Sequence, residues 1–147
     1  MKYAVRFDII KYINQLNEFK IGMNTYSVRK ISLNGVDIAT VDCNGIIIDD
    51  VQTALDLMMT VKYQAGVKLI AIPKDAFAEK FFVLSSGLAG EILQKFVNYQ
   101  FKVAIYGDFS KYTSKPLKDF IYESNNGNAV FFTETQAQAV EKLSAAK

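Results

Sequence analysis

The chain contains no histidine and no tryptophan, and its 147 residues include one cysteine and two prolines. Without histidine there is no imidazole general base, no Ser-His-Asp or Cys-His nucleophile and no histidine-containing metal site. A single cysteine excludes an internal disulfide and a multi-thiolate zinc site, which points to a reducing compartment. Charge of neither sign predominates, with 17 Lys and Arg against 15 Asp and Glu. The small excess sits in residues 1–22, where Lys2, Arg6, Lys11 and Lys20 outnumber Asp8 and Glu18 by 4 − 2 = +2. The rest of the chain is neutral, and arginine occurs only at Arg6 and Arg29. No basic stripe is left to follow a phosphate backbone, so nucleic acid is not an expected partner. Nor does any apolar run reach the ~18 residues of a membrane-spanning helix. Asp8 and Lys11 also interrupt the first apolar residues, unlike a secretory signal. A cytoplasmic protein with no membrane partner is expected.

What is present fits one globular domain: half of the residues are hydrophobic and 22% are charged. Val5, Ile9, Tyr12, Leu16 and Phe19 alternate at spacings of four and three, which predicts an amphipathic helix over residues 1–22. That helix would form an extension packed on the domain or on a second copy, with Met23 as an alternative chain start. Residues 23–147 form the predicted α/β domain. Tyr26–Leu33 and Val36–Asp42 flank Asn34-Gly35, a dipeptide suited to a two-residue hairpin turn, and the second strand alternates as if half buried. Asp49 with Gln52 reads as the capping box of a helix whose buried stripe is Val51, Leu55 and Met58, widened by Ala54 and Met59, and Gly66 ends it. Val67–Ile72 and Phe101–Tyr106 are interior parallel strands, separated by a phenylalanine-rich irregular segment and a helix from about Ser86 to Asn98. Ser114 or Thr113 caps a further helix. Ala129–Phe132 is a last strand, and Thr133 with Gln136 caps the terminal helix. The order from residue 26 is β-β-α-β-α-β-α-β-α, a mixed sheet opened by a hairpin with helices packed against it.

Chemistry concentrates in two places. Leu84-Ser85-Ser86-Gly87-Leu88 puts two hydroxyls at a helix N-terminus, where unpaired N–H groups and the helix dipole favour an anion or a phosphoserine. The ordinary role of such residues is helix capping by a serine, with glycine allowing close packing. Asp108 follows a strand at the carboxyl edge of the sheet, and Lys111, Thr113 and Ser114 lie in the one local basic-polar stretch. Neither glycine-rich phosphate fingerprint occurs. The adjacent Asp49 and Asp50 have capping roles available. Cys43 has no activating neighbour in sequence and reads as a structural thiol. No metal or cofactor is expected.

The strand Val67–Ile72, then Ser85-Ser86-Gly87-Leu88, a helix and Val103-Ala104-Ile105-Tyr106 resemble the STAS domain of anti-sigma-factor antagonists over approximately residues 26–147. That family carries Asp-Ser-Ser-Gly-Leu-Gly at this point. Its first motif serine, phosphorylated by a kinase-type partner that is thereby released, corresponds to Ser85. Leu84 stands in place of the aspartate and Ala89 in place of the second glycine. The segments Gly87–Phe96 and Tyr112–Phe120 are similar to an uncharacterised bacterial family, domain of unknown function 4180. The resemblances imply a non-enzymatic regulatory domain that binds a protein partner or a second copy, with Ser85 as a phosphorylation site. The alternative is a small-molecule or anion-binding module at the same helix N-terminus, and an enzyme is the third option.

Overall fold

The computed structural model describes residues 18–21 and 24–146. Six strands form one sheet in sequence order: β1 (Glu18–Ile21), β2 (Asn24–Leu33), β3 (Val36–Cys43), β4 (Leu69–Pro73), β5 (Lys102–Tyr106) and β6 (Val130–Thr133). The first three are antiparallel and the last four run parallel. Hairpin connections suffice for the antiparallel part, whereas each parallel step needs a crossover. Those crossovers are α1 (Val51–Ala65), α2 (Leu88–Asn98) and α3 (Lys115–Asn125), and α4 (Gln136–Ala145) follows β6. Among the described residues no helix is long and apolar enough to cross a membrane.

The β2–β3 turn is the one expected. Asn34 (φ 54°) and Gly35 (φ 78°) both occupy the left-handed region, whose twist matches that of the flanking strands. Side-chain alternation then sorts the sheet into two faces. Ile70, Ile72, Val103 and Ile105 join the larger core beneath α1, α2 and the phenylalanine-rich loop. Ala71 and Ala104 point the other way with Ile38 and Phe131, onto Ala139, Val140 and Leu143 of α4. Two alanines in the central strands leave room for α4 to lie close.

Five expectations need correction. Glu18–Ile21 pairs with Asn24–Ser27 as a strand, so the helix expected over 1–22 does not reach these residues, and its remainder lies outside the described residues. The β3 strand, expected to be half buried, is buried on both faces from Ile38 to Val41, because α4 covers its Ile38 side while Ala39 and Val41 face the larger core. The first cap is Asp50 with Thr53, not Asp49 with Gln52, and the last is Thr135 with Gln138, not Thr133 with Gln136. With the helix start shifted, the buried stripe of α1 is Ala54, Leu57, Met58 and Val61, leaving Met59 at the surface.

Candidate functional site

Between β4 and α2 the chain makes three short 3-10 turns: Lys74–Ala76, Glu79–Phe82 and Leu84–Ser86. Backbone hydrogen bonds tether this loop to the segment before α1: Ile47 and Ile48 N–H donate to the Ala76 carbonyl, and Ala78 N–H to that of Ile48. Rings fill the space beneath it. Phe77 and Phe81 have centroids 4.4 Å apart, and Phe82 stacks on Tyr112 at 5.0 Å, which joins this loop to the β5–α3 loop.

The two motif serines are treated differently. Ser86 Oγ donates to the Lys80 carbonyl at 2.8 Å and accepts from Leu88 N–H at 3.2 Å. Its hydroxyl thus pins the loop to the start of α2. Gly87 takes the N-cap position with φ +79°, a conformation that disfavours side chains. Ser85 is exposed, and its hydroxyl makes no hydrogen bond among the described residues.

Of the second group, Ser114 caps α3, its Oγ accepting from Leu117 N–H at 3.3 Å. Asp108 Oδ1 accepts from Ser110 N–H at 2.9 Å, and its hydrogen bonds to Ser110 hold the carboxyl below the usual carboxylate range. Lys111 Nζ lies 3.4 Å from Glu79 Oε1 and 5.1 Å from the Tyr112 ring centre. Lys74 Nζ approaches that ring at 5.5 Å and Asp75 at 3.2 Å. Glu79 is held below the usual carboxylate range by the Tyr112 hydroxyl and by Lys111. Tyr112 is pushed far up by burial and by that carboxylate. A methyl group on Gly107 would meet Lys74 Cβ at 2.8 Å, so the bare glycine lets the two loops close.

Ser85, Lys111, Thr113 and Ser114 line one cleft of about 380 Å³, walled by Val83, Leu84, Tyr112 and Pro116. Asp108 lines a different cavity of about 650 Å³ beside β6 and α4, together with Phe109, Thr133 and Glu134. Four of the seven candidate residues therefore converge. Ser86 and Gly87 shape the loop behind them, and Asp108 is turned away. Sequence reasoning missed Lys74 and Glu79, which carry no motif and meet Tyr112 only through the fold. The cleft offers apolar walls, the Ser85 and Thr113 hydroxyls and an ammonium group partly neutralised by Glu79.

Residues 33–143, well over half of the chain, match the family described as Domain of unknown function (DUF4180). The chain belongs to this family. The DUF4180 match begins at the end of β2, stops within α4 and contains both candidate groups. Neither curated proteins nor solved structures gave a match to the chain.

Proposed function

We propose that this DUF4180 protein is a non-enzymatic, STAS-like interaction domain of the cytoplasm. Its docking surface is the Ser85 cleft, and its affinity for a protein partner, of the kinase-like regulatory kind or a second copy, is switched by phosphorylation of Ser85. One observation carries the reading: of two adjacent hydroxyls, Ser86 is committed in both directions while Ser85 stands free at an apolar cleft. The sheet, a hairpin followed by parallel strands in sequence order, also has the element order that the resemblance implies.

The switch is electrostatic. A phosphate adds roughly −1.5 to −2 charge and three strong acceptors. On Ser85 it would introduce that charge beside Val83, Leu84 and Pro116, where an apolar partner side chain docks. It would also compete with Glu79 for Lys111, because both lie at the same cleft. Partner release then follows from desolvating a dianion against an apolar wall.

Affinity purification from the native host tests this with three chains: wild type, Ser85→Ala and Ser85→Glu. A partner retained by wild type and Ser85→Ala but lost from Ser85→Glu is the expected result; retention by Ser85→Glu contradicts the switch. The second reading, an anion-binding module, is favoured by the gathering of Ser85, Lys111, Thr113 and Ser114 around one cleft. It requires inorganic phosphate to bind the unmodified chain and Lys111→Met to weaken that binding.

A further inference from the structure

We propose that the cavity between α3 and α4 at the β6 edge binds an organic cation with an apolar body, of the arylalkyl amine class. This cavity is separate from the Ser85 cleft, and its volume of about 650 Å³ lies within the range of small-molecule sites. Asp108 follows β5, Thr133 ends β6 and Glu134 follows it, so the cavity opens at the carboxyl ends of parallel strands, where such sheets bind ligands. One wall is Ile121 of α3. The other is a single face of α4: Glu141, Lys142 and Ala145 lie three, four and seven residues after Gln138. Ala139, Val140 and Leu143 seal the opposite face of that helix against the sheet.

The floor is apolar and held in place. Phe132 is only 5% exposed and packs edge-on against Phe109 at 5.5 Å and Phe120 at 5.9 Å. Around it stand Asp108, Glu134 and Glu141 against Lys142, a local charge of 1 − 3 = −2. Asp108 already accepts from Ser110 N–H, and the Gln138 carboxamide accepts from Glu134 and Thr135 N–H. The Glu134 and Glu141 carboxylates have no hydrogen bond or ion pair among the described residues. Unmatched negative charge over an aromatic floor complements an ammonium group on an apolar body, through ion pairing, cation–π attraction and ring burial. An anion of the same shape is repelled by the same carboxylates, and a neutral one forfeits the ion pair, so charge sets the ligand class.

Titration of the full chain with phenethylamine, followed by amide NMR, tests the proposal. Half-saturation below about 1 mM is expected, with the largest shifts at Thr133, Glu134 and Glu141. Phenylacetate and phenethyl alcohol should bind roughly tenfold or more weakly. Glu134→Gln/Glu141→Gln keeps side-chain size at two exposed positions and should weaken amine binding roughly tenfold or more, while β4 and β5 amide signals stay in place. Half-saturation above about 1 mM, comparable binding of phenylacetate, or affinity that survives the double substitution overturns the proposal. Loss of amine binding in Ser85→Glu would place the ligand in the Ser85 cleft and overturns it as well. Should the double variant lose its β4 and β5 signals, Ala145→Phe, which fills the cavity from an exposed position, is titrated instead. Weaker binding then supports the site, and unchanged binding refutes it.

Discussion

Strand β6 ends the sheet, and an edge strand presents unpaired backbone groups to any passing chain. Ala129 and Thr133 turn their carbonyls toward β5, accepting from Val103 and Gly107 N–H. Phe132 consequently points its N–H and C=O outward. Asn125, the last residue of α3, meets both: Oδ1 accepts from Phe132 N–H at 2.7 Å, and Nδ2 donates to the Phe132 carbonyl at 3.1 Å. One carboxamide thus imitates a neighbouring strand. Asn125→Ala removes both bonds from a partly buried pair of groups. At a net 0.5–1.5 kcal/mol per hydrogen bond the loss is about 2 kcal/mol. For a domain of this size that corresponds to roughly 4–8 °C in Tm. Asn125→Asp keeps the acceptor but sets a carboxylate oxygen against the Phe132 carbonyl, so at neutral pH it should fare no better than alanine. Urea unfolding followed by far-UV circular dichroism measures the loss, and size-exclusion chromatography at rising concentration detects association through the freed edge. A stability change under about 0.5 kcal/mol, with no association, would refute the clamp.

Thr40 is fully buried under α4, and its hydroxyl has no hydrogen-bond partner among the described residues. Thr40→Val should therefore raise the unfolding free energy by about 1 kcal/mol in urea, and a loss of stability would mean that the hydroxyl is satisfied. The Asp50 carboxyl is held below its ordinary range first by Thr53 N–H, then by the Thr53 side chain. A depressed folded-state pKa stabilises above the unfolded value of about 4 and is lost as pH falls through the folded value. The stability–pH profile should accordingly decline on the acid side, less steeply in Asp50→Asn; a parallel decline in both chains contradicts the assignment. Burial pushes the Cys43 thiol up, so the native chain should react with a disulfide reagent at neutral pH more slowly than the urea-unfolded chain. Equal rates would show the thiol to be open.

The hairpin, the order of strands and helices, and the Gly66 boundary were legible because each rests on a local backbone requirement. Asn34-Gly35 needs only its own two dihedral angles, and Gly66 ends α1 in the left-handed region at φ 68° whatever packs nearby. The caps were misplaced by one and two residues where adjacent positions offer equivalent oxygens. Asp49 and Asp50 both approach Thr53, and the register was decided by which one its backbone lets accept from Thr53 N–H. The burial of both faces of β3 was missed because α4, about a hundred residues downstream, returns to cover its Ile38 side. The candidate site divides in the same way. Ser114 was one of two caps readable beside Pro116, with Thr113 the other, but the separation of Asp108 from Lys111 depends on an Asx turn at Ser110 and on the pull of Glu79. Lys74 and Glu79 had no readable signal, since only the stacking of Phe82 on Tyr112 brings their loop to the β5–α3 loop.

The central claim is that Ser85, and not its neighbour Ser86, is the modified hydroxyl of an interaction surface. Peptide-level phosphosite mapping of the chain isolated from its native host across growth conditions tests it most directly. The expected result is phosphate on Ser85 alone, disappearing in Ser85→Ala without moving to Ser86. Phosphate on Ser86, or a Ser85 that stays unmodified in every condition, contradicts the account.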